Sequence, residues 1–293
     1  MMDQAENLRS MVQGQKSPVS SARVLTVTSG KGGVGKSSLS VNMAIALARL
    51  GKRVLILDAD FGLANIEVML GIRPKHNLAD MMFRGMSLSD IISEGPEGVG
   101  FISCGSGLRE MINLSDEQVT NVFAHLSELD SLADVIIIDT GAGISKSVTD
   151  LVSASPDVLL VTTPEPTSIT DAYALLKTLN RAPSFDKEKT RVNIITNKVK
   201  DQEAGRDLYD RFRVIVGNFL NIDLKYLGYL PDDKTIERTV ISQKPVTISY
   251  PDSSSSRLIS DMAARWLSGS ELSENERKSV RDIFIRMFRQ KNK

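Results

Sequence analysis

The sequence predicts an α/β fold: a doubly wound, mostly parallel sheet with helices on both faces. Three observations predict it. Short β-branched runs at 23–29, 53–58, 134–139, 157–163 and 191–197, with weaker ones at 99–103 and 224–230, alternate with helical patterns. The runs at 134–139 (Asp-Val-Ile-Ile-Ile-Asp) and 157–163 (Asp-Val-Leu-Leu-Val-Thr-Thr) are nearly continuous apolar stretches, as strands read when helices cover both sheet faces. A glycine-rich loop joins the first run to a helical pattern at 37–50, where Leu39, Met43, Ala46 and Leu50 fall at helical spacing. Gly51 follows, the residue type of a left-handed helix cap. In such a sheet ligands bind beyond the carboxyl ends of the strands.

At 293 residues the chain fits one such unit with extensions. We divide it into a flexible N-terminal segment and linker (1–22), a globular domain (23–270) and a C-terminal helix (271–293). Residues 10–22 are rich in Ser, Gln, Gly and Pro and bury too little apolar surface to offset chain entropy. Lys plus Arg number 36 and Asp plus Glu 36, a balance that argues against a surface built to coat nucleic acid. One cysteine, Cys104, excludes an internal disulfide, a Cys-x-x-Cys zinc site and an iron–sulfur cradle; it reads as a buried small residue. His76 and His125 stand alone. Asp3, Gln4 and Glu6 interrupt any signal-peptide core, and no stretch reaches the roughly 18 apolar residues of a membrane span. A cytoplasmic protein is expected.

The candidate chemistry lies at strand ends. The first run leads into Ser-Gly-Lys-Gly-Gly-Val-Gly-Lys-Ser-Ser, residues 29–38, in which Gly30, Gly35, Lys36 and Ser37 satisfy the P-loop pattern. Glycines let backbone N–H groups turn around phosphate oxygens, and the helix start points its positive end at the same anion. Gly30, Lys31, Gly32, Gly33, Val34, Gly35, Lys36, Ser37 and Ser38 are therefore the expected nucleotide-binding residues, with the Lys36 ammonium on the β and γ oxygens and the Ser37 hydroxyl on Mg²⁺. Asp139, after four apolar residues, has the Walker B arrangement and would hold Mg²⁺ directly or through water. Gly141 and Gly143 follow it, as suits a mobile loop near the γ-phosphate.

Lys31, early in Lys-Gly-Gly-Val-Gly-Lys-Ser, resembles the deviant Walker A motif of the MinD/ParA class of ATPases. The resemblance implies ATP/ADP and Mg²⁺ as ligands, dimerisation with ATP, and a Lys31 that reaches the partner protomer's nucleotide as an arginine finger does. Asp58-Ala59-Asp60-Phe61-Gly62-Leu63-Ala64-Asn65 resembles that class's switch I. By position Asp60 would orient the attacking water and stand near the metal, with Asp58 structural or reaching Mg²⁺ through water. The catalytic set is thus Lys31, Lys36 and Asp60, and the metal set Ser37, Asp60 and Asp139. Asn197 resembles the class's adenine contact, and Pro231 and Asp232 lie in the loop that would cover the base. Asn197-Lys198 also fits the guanine signal Asn-Lys-x-Asp, but Lys200 stands where Asp is needed, so ATP is favoured.

The two ends extend the resemblance. Asp3, Gln4, Ala5, Leu8 and Arg9 form Asp-Gln-Ala-x-x-Leu-Arg, which is similar to the activator segment of the FlhG (YlxH/FleN) family of flagellar number and placement ATPases. That likeness implies the GTPase FlhF as partner, and further partners among flagellar switch (C-ring) proteins or a flagellar transcription regulator. At the other end Val280, Ile283, Phe284 and Met287 follow helical spacing and Phe288 widens the stripe. From Glu274 onward there are seven Lys/Arg and three Asp/Glu. A basic amphipathic helix of this kind reads as an anchor on an anionic membrane surface through Ile283, Phe284, Met287 and Phe288, or else as a terminal helix packed on the sheet; both hold if the helix docks on its own domain until dimerisation frees it. A cell-division MinD and a DNA-partition ParA share the nucleotide site, and a nucleotide-gated adaptor is the reading from another class. The N-terminal motif favours the flagellar family over all three.

Overall fold

Residues 22–60, 65–104, 125–269 and 279–291 are described by a computed structural model, with side chains of the last helix through Arg286. The N-terminal motif Asp3–Arg9, most of the linker, Phe61–Ala64 and the side chains of Met287 and Phe288 lie outside the described residues. Eight strands form one sheet: β1 (Arg23–Ser29), β2 (Val54–Ala59), β3 (Ser93–Glu94), β4 (Gly100–Ser103), β5 (Val135–Ala142), β6 (Asp157–Thr162), β7 (Arg191–Val199) and β8 (Leu224–Pro231). Their order is β3-β4-β2-β5-β1-β6-β7-β8, parallel throughout except the two-residue β3, which pairs antiparallel at the edge. All seven expected strands are present, within a few residues of the expected bounds; β3 is too short to carry a sequence pattern.

The helices are α1 (Lys36–Arg49), α2 (Asn65–Leu70), α3 (Leu78–Arg84), α4 (Leu88–Ile91), α5 (125–132), α6 (Lys146–Ala154), α7 (Pro166–Leu179), α8 (Gln202–Leu220), α9 (Lys234–Ile241), α10 (Val246–Ser249), α11 (Ser254–Ser268) and α12 (Val280–Lys291). Gly51, at φ 78°, takes the left-handed backbone expected after α1.

The apolar runs are continuous because each strand buries both faces. In β5, Val135 and Ile137 join a core with residues of α1, α2 and α11, while Ile136 and Ile138 join one with residues of α3, α5 and α12. Strand β2 divides the same way, Val54 and Ile56 against Leu55 and Leu57. Burial on this scale is worth about 25 cal/mol per Å² of apolar surface, enough to fix the register of the central strands. That register sets Val27 beside Asp139, and Asp139 beside Asp58. The carboxyl ends of β1, β2 and β5 therefore present three chemical groups side by side.

The C-terminal helix forms as the spacing predicts, but the apolar residues described in its first half are enclosed. Val280, Ile283 and Phe284 are almost wholly buried in the core beside Leu126, Leu129 and Leu151. In this conformation neither Ile283 nor Phe284 is available to a lipid surface. The same apolar stripe that reads as a membrane face reads equally as a core face, and here α12 packs on α6. Cys104, just after β4, is buried as expected.

Candidate nucleotide-binding site

A cavity of about 750 Å³ opens beyond the carboxyl ends of β1, β7 and β8. Every nucleotide-site residue expected from the sequence lines it except Gly30, Val34 and Asp139, which stand behind its wall. Its lining combines polar groups, Lys36, Ser37 and Asp60, with apolar ones, Met69, Leu230 and Ile236. Phosphates and a purine base need such a combination.

The P-loop is built so that side chains cannot intrude. A Cβ on Gly30 would overlap the backbone of Asp171 and Ala172 in α7. Gly35 has φ 93°, and a Cβ there would overlap the Asn197 amide. Asn197 Nδ2 donates to the Val34 carbonyl at 2.7 Å, and Lys198 Nζ to the Gly33 carbonyl at 3.1 Å. Strand β7 thus braces the loop from behind. The sequence expects Asn197 at the base, and it does line the cavity; one Nδ2 hydrogen goes to the loop, and its Oδ1 accepts the Lys198 N–H at 2.9 Å. Lys198, at φ 55°, was not assigned.

The two lysines of the loop differ sharply. Lys36 is 7 % exposed and its Nζ lies 3.3 Å from both oxygens of the fully buried Asp139. Ser40, one helical turn after Lys36, donates to Asp139 Oδ1 at 2.7 Å. Lys31 lies at the cavity mouth, where Nζ meets Glu165 Oε2 at 2.5 Å and Thr167 Oγ1 at 2.8 Å, both at the start of α7. Lys31 draws the Glu165 carboxyl below its usual range. Glu165 is 134 positions away in sequence, so no local signal marks it.

Asp58 is buried, and burial together with the neighbouring Asp139 carboxylate pushes its pKa up to about 7. It accepts the backbone N–H groups of Asp60 at 3.1 Å and Ile66 at 3.3 Å, and so holds both ends of the expected switch I. This is the structural role that the sequence left open. Asp60 faces the cavity, and Asn65 Nδ2 donates to its Oδ2 at 3.0 Å. At the base end Asp233 caps α9 through the Thr235 N–H and accepts from Ser255, while Pro231 and Asp232 line the cavity. Among the described residues there is no cluster of three His, Cys, Asp or Glu that would hold a metal alone. Mg²⁺ needs only one or two carboxylates, completing its shell with water and phosphate; of the residues expected to hold it, Ser37 and Asp60 line the cavity, while both oxygens of Asp139 are engaged by Lys36 and one of them by Ser40 as well.

The model of the CobQ/CobB/MinD/ParA nucleotide binding domain matches residues 25–246. The chain belongs to the MinD/ParA family of P-loop ATPases. Within the family it is 43 % identical to the antiactivator FleN of Pseudomonas aeruginosa over 234 residues, 80 % of this chain and 82 % of that one. It is 33 % identical to the flagellum site-determining protein YlxH of Helicobacter pylori over 270 residues, 91 % of this chain and 90 % of that one. These relatives place it in the FlhG (FleN/YlxH) branch of the MinD/ParA ATPases. Among solved structures, the MinC:MinD cell division complex of Aquifex aeolicus superposes with a TM-score of 0.66 at 25 % identity, covering 86 % of this chain and 97 % of that one. The Mg-ADP complex of the septum site-determining protein MinD from Pyrococcus horikoshii superposes with a TM-score of 0.65 at 23 % identity, covering 86 % of this chain and all of that one. The phosphate loop of this chain follows β1, an interior strand between β5 and β6.

Proposed function

We propose that this chain is an ATP-driven switch that sets flagellar number and placement: it dimerises with ATP, binds the inner membrane surface, and stimulates the GTPase FlhF through its N-terminal segment. The observation that carries the reading is Lys31. It lies at the mouth of the cavity on exposed partners, free of the buried ion pair that occupies Lys36. A cation there can leave Glu165 and Thr167 for a second protomer's nucleotide at small cost. The similarity to FleN and YlxH adds the flagellar context.

Within one protomer, P-loop amides and Lys36 bind the phosphates, and Ser37, Asp60 and Asp139 would hold Mg²⁺, which supplies charge neutralisation when bound. Asp60, aimed into the cavity and steadied by Asn65, orients the attacking water. Hydrolysis waits for the partner's Lys31, so turnover is slow in the monomer.

α12 is docked in the monomer, and membrane binding follows its release. The cytoplasmic face of the membrane, flagellar switch proteins and a flagellar transcription regulator remain the partners this reading names. No helix among the described residues is long and apolar enough to cross a membrane.

Light scattering with ADP and with a slowly hydrolysed ATP analogue, with and without anionic vesicles, tests the switch. A dimer seen only with the ATP analogue, and retained by vesicles, is expected. A peptide of residues 1–20 tests the FlhF part of the reading: it should accelerate GTP hydrolysis by FlhF. An unchanged GTPase rate at saturating peptide would remove FlhF stimulation from the role of the N-terminal segment.

A further inference from the structure

Strand β7 breaks register where it meets the phosphate loop. Thr196 stands opposite Tyr229 of β8 and Val199 opposite Pro231, so three steps along β7 face two along β8. The extra residue is a bulge at Asn197-Lys198, and a bulge re-aims a side chain that regular pleating would point elsewhere. Lys198 also takes φ 55°, in the left-handed region that residues with a side chain seldom occupy. Its N–H donates to Asn197 Oδ1 at 2.9 Å, and its Nζ to the Gly33 carbonyl at 3.1 Å. The backbone and the ammonium of a lysine on the cavity wall are therefore both tied down. Strained backbone of this kind gathers at binding sites, where the surrounding structure enforces it.

The ammonium is on the wrong side of the loop for a phosphate. A phosphate loop turns its N–H groups inward to the anion, so its carbonyls point out of the cradle. Lys198 Nζ and Asn197 Nδ2 take the carbonyls of Gly33 and Val34. The buried cation of the loop is Lys36. What Lys198 has left to offer a ligand is its four-carbon stem, which runs from the end of β7 to the loop with its head fixed. A stem held in this way loses little rotamer freedom when a ligand packs on it. Leu230, Pro231 and Ile236 line the same cavity. Methylenes and apolar side chains favour a flat group with apolar faces, and in a nucleotide that group is the base.

We propose that Lys198 is a base-binding residue of the nucleotide site: its stem, pinned by the Gly33 carbonyl, packs on a face of the purine and ties the seat of the base to the phosphate loop. The proposal rests on the chain's binding adenine nucleotide and on nothing in the flagellar reading. The contact is to the face of the base, so it is separate from any hydrogen bond that Asn197 or the Pro231 segment makes to the edge.

Calorimetry on the full-length protein in Mg²⁺ buffer tests it, with ADP and with tripolyphosphate, which offers phosphates without a base. Lys198→Ala should weaken ADP binding roughly tenfold, the loss expected when about two methylenes no longer pack on the ligand. Its affinity for tripolyphosphate should match wild type. Lys198→Met keeps an unbranched stem and removes the ammonium, and should bind ADP much closer to wild type than Lys198→Ala does. The side chain is exposed, so all three proteins should melt alike. The proposal is overturned if Lys198→Ala weakens tripolyphosphate as much as ADP, because the lysine then serves the phosphates or the loop. It is equally overturned if Lys198→Met loses as much ADP affinity as Lys198→Ala, because the charge and not the stem is then at work, or if Lys198→Ala binds ADP as wild type does. Should tripolyphosphate bind too weakly to follow, the comparison of the two variants with ADP decides alone. A wild type that does not bind ADP would overturn the nucleotide site itself, and this contact with it.

Discussion

Lys31 and Lys36 share one loop, yet their removal should produce opposite signatures. Lys36 is 7 % exposed and faces an Asp139 with no exposure at all. Lys36→Ala would leave that carboxylate buried with only Ser40 donating to it. Stranding one partner of a buried pair costs about 3–5 kcal/mol. In a domain of this size about 1 kcal/mol moves the melting temperature by roughly 2–4 °C, so the nucleotide-free variant should melt roughly 6–20 °C lower. Lys31 sits on exposed partners, and surface pairs contribute little. Lys31→Ala should melt within a few degrees of wild type and still bind nucleotide as a monomer, while ATP hydrolysis falls by about 10³-fold or more, as expected for loss of a finger residue. Thermal melts by circular dichroism without nucleotide separate the two. A second change, Asp139→Asn, should restore most of what Lys36→Ala loses, because it removes the stranded charge. If Lys36→Ala melts with wild type, or if Asp139→Asn only deepens its loss, the buried pair is not what holds this loop in place.

Asp60→Ala should trap an ATP-bound dimer, since phosphate contacts remain while the water loses its orienting group; light scattering that shows only monomer would remove Asp60 from that role. Gly30→Ala should abolish nucleotide binding, measured by calorimetry, because the added methyl overlaps the α7 backbone and nothing there can yield. Leu129→Ala thins the surface that receives α12 without changing α12 itself, at a cost of about 2–5 kcal/mol; nucleotide-free protein should then sediment more with anionic vesicles, and unchanged sedimentation counts against a releasable anchor. The pKa of Asp130 is about 7 when folded, above the ordinary carboxylate range of the unfolded chain, with Asp282 of α12 the charged neighbour facing it. The folded state therefore holds the extra proton between pH 4 and 7, and this part of the stability is present at low pH and lost as pH rises through 7. Asp130→Asn should lose less melting temperature than wild type between pH 5 and 8; parallel curves would show that Asp130 does not titrate there.

Much of the fold was legible because parallel strands covered on both sides leave an unmistakable record. Ile136, Ile137 and Ile138 have no polar residue among them, since each faces a core. The phosphate loop was legible for a related reason: its glycines and lysines are consecutive, and a strand and helix flank them. What the sequence hid is what depends on long-range approach. Glu165 touches Lys31 from another strand end, and Asn197, which lines the cavity, also donates to the Val34 carbonyl of the loop. Ser40 could have been found, because it lies four residues after Lys36 on the same helical face. The C-terminal stripe was ambiguous in principle. Periodicity states that a face is apolar and is silent on whether protein or lipid covers it.

That ambiguity bears on how the switch would work. Val280, Ile283 and Phe284 are each buried to within 1 %, and burial of such side chains is worth about 1.5–3 kcal/mol apiece before ordering costs. A lipid surface offers the same kind of gain, so docking and membrane binding compete for one face and nearly balance on that term. A single helix leaving the domain then gains little from the membrane and must surrender its contacts with Leu126 and Leu129. Two helices on one dimer change the balance without any new contact, because the first to bind raises the effective concentration of the second. On the proposed reading, a basic amphipathic helix that is buried in one protomer and useful only in pairs would convert a modest ATP-dependent dimerisation into a steep dependence of membrane occupancy on nucleotide.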